Sequence, residues 1–275
     1  VQLVQLQQAA QRFKQHGIGL AAISYDSQAI LKDFAERKHI TYPLLADPQV
    51  EIIRAYHVLN PQVTLPGVVK GIAHPGFFFV DPSGKVKEKF FETAYTERYT
   101  ANNVISRLFP ELTEEVPRNM KAPHIAFTLR QSDQNAFPGS RLRLMVDVDL
   151  APDLHVYAPG VKGYIPIELK LEPAAEFKLD EITYPKSKIL YLPAIKEKVP
   201  VFGGKFRISQ DLTVSANRGF SLSLREGKTI AVKGELKYQA CDEKVCFMPV
   251  ATPVTWEIHV APLDMERSPA ALQHR

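Results

Sequence analysis

The feature that most constrains the fold is a change of hydrophobic period part-way along the chain. Up to about residue 110, strand-length apolar runs alternate with helical spacings of three and four; beyond residue 123, apolar residues recur mainly at a spacing of two. Side chains repeat every 3.6 residues on a helix and every two on a strand, so the two halves call for different architectures. At 275 residues there is room for two domains, each with its own core. Between them, residues 111–123 (ELTEEVPRNMKAP) are polar, lack periodicity, contain two prolines and read as an interdomain linker.

The first half opens on VQLVQLQQAAQRFKQHG. Leu3, Leu6, Ala10 and Phe13 recur at helical spacing, and Gly17 stands where a C-cap glycine would. No capping residue and no charged-then-apolar leader precede this run, so the chain reads as starting inside an element. IGLAAISYD has the composition of a strand buried on both faces. Asp26 or Ser27 can cap the next helix, whose inward stripe is Ile30, Leu31, Phe34 and Ala35. ITYPLLADP is a second short apolar segment, VEIIRAYHV a short helix, and residues 59–73 a loop punctuated by Pro and Gly. HPGFFFV and KVKEKFF, joined by Asp81-Pro82-Ser83-Gly84, predict a hairpin on a type I turn. TERYTANNVISRLF closes the region as a helix capped by Thr96. The order predicts an α/β layout, a mixed sheet with helices on its faces.

The run from IGLAAISYD through YPLLADP and AYHV to HPGFFFVDPSGKV resembles the thioredoxin-fold redoxins of the peroxiredoxin-like (alkyl hydroperoxide reductase/thiol-specific antioxidant) branch, over residues 1–110. The resemblance implies that Pro75 is the cis-proline before the hairpin. It also implies a reactive cysteine at the N-terminus of the first helix, where the helix dipole and free N–H groups lower a thiol pKa. Residues 1–240 contain no cysteine. The domain is therefore either an N-terminally incomplete hydroperoxide reductase, its cysteine upstream of residue 1, or a non-catalytic docking module.

In the second half, IAFTLRQ and RLRLMVDVDLA alternate, with Leu142, Leu144, Val146 and Val148 on one face. IPIELKLEP, FRISQDLTVSA, TIAVKGELKYQAC and VATPVTWEIHVAP are further strands, with Pro, Gly and Asp between them. Short strands at this spacing predict an all-β, immunoglobulin-like sandwich over residues 124–262, followed by a frayed tail, 263–275.

Cys241 and Cys246 are the only cysteines. A turn between two strands can bring their Cα atoms to the roughly 5.5 Å of a disulfide. Closing so short a loop is worth only about 2 kcal/mol in the chain-entropy model, which favours exchange chemistry over stapling, although structural hairpin disulfides exist. Structural zinc needs four ligands, and neither a second cysteine pair nor a nearby histidine is available. The eight histidines show no HxxH or HExxH spacing, so no metal and no cofactor are expected. The spacing C-x4-C identifies no redox motif by itself.

Its neighbours add more. YQACDEKVCFMP, with HVYAPG and VPVFGGKF upstream, resembles the N-terminal periplasmic domain of the thiol:disulfide interchange protein DsbD. The resemblance implies that Cys241 and Cys246 are the exchanging pair, with Cys246 meeting outside partners. Phe202 would be the aromatic of a cap loop over the pair, and Tyr157 the edge of its pocket, the alternative for both being ordinary core packing. The partner implied is a thioredoxin-fold redox protein or a membrane electron donor, and the location periplasmic or otherwise extracytoplasmic. Two departures stand out: DEKV is one residue shorter than the family's usual intercysteine segment, and Pro200-Val201 replaces acidic residues. A net charge of +4 without a basic block argues against nucleic acid, and no apolar run reaches the roughly 18–20 residues of a membrane span. Fusing a dithiol domain to a redoxin would raise the effective concentration of one for the other. Three functions remain open: thiol–disulfide exchange, hydroperoxide reduction, and non-enzymatic binding with a structural disulfide.

Overall fold

The opening residues do form a helix, α1 (Gln2–Gln15), and it ends at Gly17, whose φ of +71° lets the Ile18 N–H reach back to the Phe13 carbonyl at 2.9 Å. This computed structural model describes residues 2–61, 71–112, 117–192, 196–264 and 266–272. After α1 come β1 (Ala22–Ser24), α2 (Gln28–Lys38), β2 (Leu44–Ala46), α3 (Glu51–Ala55), β3 (Leu59–Asn60), β4 (Ile72–Ala73), β5 (Gly76–Val80), β6 (Val86–Phe91), β7 (Arg98–Tyr99) and α4 (Ala101–Leu108). Leu6, Ala9 and Phe13 of α1 pack with Ala101 and Ile105 of α4 and with Tyr42 to form the core of this half. Ser27, not Asp26, caps α2 by accepting from the Ile30 N–H.

The first half departs from several expectations. The mixed sheet is divided, among the described residues, into three two-stranded pieces: β1 with β2, β3 with β4, and the β5–β6 hairpin. IGLAAISYD contributes only β1, and it is not covered on both faces. Ile23 and its register partner Leu45 are each close to half exposed. The cap of α4 is Thr100, whose Oγ1 accepts from the Asn103 N–H at 3.0 Å; Arg98 and Tyr99 are drawn into β7, so the helix starts later than Thr96. Pro75 is trans, as is every peptide bond among the described residues. Trans is the favoured isomer, and it carries the extended chain from β4 into β5, where the Pro75 carbonyl accepts from the Glu92 N–H at 3.0 Å. Phe77, Phe78 and Phe79 of β5 are only partly buried.

The second half contains β8 (Arg118–Ala122), β9 (Ile125–Gln131), β10 (Asn135–Ala136), β11 (Ser140–Leu150), β12 (His155–Tyr157), β13 (Glu168–Leu171), β14 (Phe177–Thr183), β15 (Lys188–Leu192), β16 (Glu197–Gly203), β17 (Lys205–Val214), α5 (Arg218–Ser223), β18 (Lys228–Tyr238), β19 (Ala240–Cys241) and β20 (Val250–Val260). One sheet has the order β10-β20-β18-β13 and a second the order β14-β17-β11-β9-β8. Their facing sides share one core, with Leu142, Leu144, Val146 and Val148 of β11 set among Val232 and Leu236 of β18 and Trp256 and Ile258 of β20. Burying such side chains is worth roughly 1.5–3 kcal/mol each. A third sheet, β15-β16-β12-β19, holds the cysteines.

The stretch read as linker is largely built into the fold. Residues 113–116 lie outside the described residues, but β8 pairs antiparallel with β9 from Arg118↔Leu129 to Ala122↔Ile125. Met120 and Ala122 point at the core while Asn119 and Lys121 face solvent, a short alternation concealed by its polar side. The β-rich half thus begins at Arg118 rather than at residue 124.

The halves are joined edge to edge. β7 runs parallel to β11, the Arg98 N–H donating to the Gly139 carbonyl (2.8 Å) and the Thr100 N–H to that of Arg141 (3.0 Å). Arg141 meets Glu92 (3.0 Å), Asp180 (3.3 Å) and the Tyr99 hydroxyl (2.9 Å), and Arg107 pairs with Asp211. Asp133, buried, accepts from Thr100 and Asn102 of the first half and from Ser132 of its own. The tail is not frayed where it is described: Lys38 of α2 binds Asp264 (2.7 Å) and Glu266 (2.6 Å), and Arg37 binds Glu266 (3.3 Å); residues 273–275 lie outside the described residues.

This joint sits at the Ser140 end of β11, and the Gln2 amide at the start of α1 donates to the Tyr99 carbonyl beside it (2.9 Å). The other end, Leu150, donates to the Gly204 carbonyl at 3.1 Å, next to the cysteine sheet. Ten residue steps of extended strand separate the two ends by on the order of 30 Å.

Candidate functional site

Strand β12 lies between β16 and β19 and organises the site. On one side the register is His155↔Gly203, Val156↔Phe202 and Tyr157↔Val201; on the other it is His155↔Cys241 and Val156↔Ala240. Alternation therefore places His155, Tyr157, Val201, Gly203 and Cys241 on one face of the sheet and Val156, Phe202 and Ala240 on the other. The second group belongs to the main core. Tyr157, Val201 and Cys241 of the first group form a small separate cluster with Val199, and Leu190 and Leu192 of β15 lie against it.

Cys241 and Cys246 are joined in a disulfide with Cα atoms 4.0 Å apart, closer than a simple turn predicts, because the two residues face each other across an antiparallel bridge. The intervening DEKV is closed by Asp242. Its carboxylate accepts from the N–H groups of Lys244 (2.6 Å) and Val245 (2.7 Å), and its own N–H donates to the Val245 carbonyl (2.9 Å). These backbone donors, with the charges of Lys244 and His155 in support, hold the Asp242 carboxyl below its ordinary pKa.

The two sulfurs differ in access. Cys241 is 1% exposed, whereas Cys246 is an exposed residue followed by Met248, also exposed. The Tyr157 hydroxyl lies 3.9 Å from Cys246 Sγ. Its ring stacks on Tyr164 with centroids 4.3 Å apart, and the Tyr164 hydroxyl donates to Glu197 at the start of β16 (2.7 Å). That hydrogen bond, with burial and the carboxylate charge adding to it, pushes the Tyr164 pKa up to about 12. Burial, reinforced by Glu197, also raises that of Tyr157. His155, 7% exposed, sits edge-on to Tyr157 with centroids 5.5 Å apart; burial pushes its pKa down, against the pull of Asp242.

Of the residues expected at the site, the fold brings Cys241, Cys246 and Tyr157 together. It does not bring Phe202. That ring is 4% exposed and stacks on Phe206 (4.9 Å) and Tyr184 (6.3 Å) on the core side of the sheet, so the side chain facing the disulfide from β16 is its neighbour Val201. Pro75 is in the other half, with His74, whose Nδ1 lies 3.1 Å from the Glu92 carbonyl. His155 was within reach of a sequence reading, since it stands two residues before Tyr157 and must share its face. Tyr164 and Glu197 carry no local signal, because only the pairing of distant strands brings them there.

An α/β thioredoxin-like domain followed by a β-rich domain with one solvent-facing disulfide defines a class, the two-module thiol–disulfide proteins. Two separate families match its two halves. Residues 1–89 match the model of the AhpC/TSA family, and residues 127–256 match that of the family described as thiol:disulfide interchange protein DsbD, N-terminal. No curated protein matches the chain. Among solved structures, the N-terminal periplasmic domain of ScsB from Proteus mirabilis aligns at 12% identity and a TM-score of 0.33, covering 51% of this chain and 49% of that one. The chain thus spans about half the length of that domain. The reduced DsbD N-terminal domain of Neisseria meningitidis aligns at 17% identity and a TM-score of 0.29, covering 56% of this chain and 97% of that one. Among the described residues, no helix is long and apolar enough to cross a membrane.

Proposed function

We propose that the protein is an extracytoplasmic thiol–disulfide exchange protein, in which the Cys241–Cys246 pair of an immunoglobulin-like sandwich exchanges electrons with a thioredoxin-fold partner or a membrane electron donor. The observation that carries this reading is the unequal exposure of the two sulfurs. A partner thiolate attacks Cys246 Sγ, the Sγ–Sγ bond breaks, and Cys241 leaves as a thiolate held inside the domain. A second partner thiol then releases the dithiol. In the opposite direction Cys241 resolves a mixed disulfide on Cys246. Tyr157 and Tyr164 supply a flat aromatic wall beside the reacting sulfur, and Val201 with Val199 packs with Cys241 on the inner side.

Redox titration of the full chain against glutathione tests the proposal. A potential within reach of cellular thiol carriers supports exchange, whereas one far below about −300 mV marks a structural bond and removes the function.

A further inference from the structure

We infer that His155 is a positioning residue for Cys241, holding the proton that this sulfur gives up and takes back during exchange; the inference rests on the exchange function proposed above.

Register puts the two residues together. His155 and Cys241 are directly opposed on adjacent antiparallel strands, and such pairs have Cβ atoms about 4.5–5.5 Å apart on the same face. On the other side of His155 the opposed residue is Gly203, which has no side chain to compete for the imidazole. The ring is more than nine-tenths buried, and its Nε2 has no hydrogen-bond partner. An unsatisfied buried nitrogen destabilises the protein that holds it, so the fold retains this one against a stability penalty. Cys241 raises the complementary problem. A thiolate formed at a sulfur 1% exposed has lost its water and needs a local donor.

Once the Cys246 thiolate of the reduced pair has attacked a partner disulfide, releasing one partner thiolate and leaving Cys246 joined to the other partner sulfur, neutral His155 takes the proton of the Cys241 thiol. The Cys241 thiolate attacks Cys246 Sγ, the intramolecular S–S bond forms, and the bond from Cys246 to the partner breaks. The electron pair leaves on the partner as its thiolate, so the partner disulfide is reduced by two electrons and the dithiol is oxidised. In the reverse direction the imidazolium returns its proton to Cys241 as that sulfur leaves. The groups facing His155 are Asp242 on the cysteine turn, with Lys244 beside that carboxylate, and Tyr157 on its own strand, behind which stand Tyr164 and Glu197. Asp242 is placed to stabilise the imidazolium.

The test uses the full chain as wild type, His155→Phe and His155→Gln, with dithiothreitol as the reductant. In wild type, proton NMR titration of the imidazole is expected to give different midpoints for His155 in the disulfide and dithiol forms; identical midpoints overturn the inference. His155→Phe is expected to slow reduction about tenfold, because without a proton donor beside it Cys241 is a poorer leaving group. It should also lose the rate inflection near the His155 midpoint. His155→Gln, which still donates an N–H, should recover rate but not the inflection. Variants that keep both the wild-type rate and its inflection overturn the inference alone. A wild-type disulfide inert to dithiothreitol at every pH overturns the exchange function with it. Because the NMR titration uses wild type, it still decides the matter if a variant fails to fold.

Discussion

Val201 and Phe202 are adjacent in sequence, yet a spacing of one residue on a strand sends them to opposite faces, one to the disulfide and one to the main core. Phe202→Ala is accordingly expected to lower stability by about 3–5 kcal/mol while leaving the rate of disulfide reduction in the folded protein near wild type. Val201→Ala should do the reverse, with a smaller loss of stability and faster reduction. Urea unfolding and dithiothreitol kinetics on the same two proteins separate these outcomes. The two cysteines divide in a similar way. With Cys241→Ser, the remaining thiol at 246 is on the surface; with Cys246→Ser, the remaining thiol at 241 is enclosed. Iodoacetamide should label the second on the order of tenfold more slowly than the first, and equal rates would contradict the assignment of Cys246 as the outward sulfur.

At the scale of elements, the long strands were legible and the short ones were not. RLRLMVDVDLA and VATPVTWEIHVAP declare themselves because one face is apolar over eleven residues, as β11 and β20 show. β12, with three residues, and β8, with only Met120 and Ala122 turned inward, are too short for alternation to rise above chance; the sheet neighbours decide them. The cysteine pair and Tyr157 could be read from local motifs. The aromatic wall and its carboxylate could not, because Tyr164 and Glu197 meet across 33 positions of sequence. Gly234 illustrates a constraint that only packing reveals. A Cβ there would lie 2.4 Å from the Lys170 carbonyl of β13, so Gly234→Ala must push β18 and β13 apart and should cost about 1–3 kcal/mol, visible as a lowered melting temperature with the cysteine chemistry intact.

At the scale of the whole molecule, the joint between the halves should respond to pH. Burial lifts Glu92 to about 7, although Arg141 opposes the shift, and lifts Asp133 to about 6 against its three hydrogen bonds. The folded protein therefore keeps protons that the unfolded chain has already released. For Glu92 the window runs from the ordinary 4.5 up to about 7, and stability falls as pH rises through it, by on the order of 3 kcal/mol at most. His155 acts in the opposite sense: its pKa is depressed, so its contribution is present above the ordinary 6.5 and is lost as pH falls below it. Denaturation of wild type and Glu92→Gln across this range should show a flatter profile in the variant. Gly139→Ala tests the joint by another route, since a Cβ would sit 2.0 Å from the Thr96 carbonyl; the halves should separate, seen as a larger radius of gyration by X-ray scattering. The joint has a kinetic consequence as well. It fixes the start of α1 at one end of the sandwich and Cys246 beyond the other, on the order of 30 Å away. A redox partner docked at the α1 end of one molecule therefore reaches the accessible Cys246 only of a different molecule. Its exchange with that sulfur should be second order in protein and slow on dilution, so that a chain which is covalently single behaves in solution as two freely diffusing reagents.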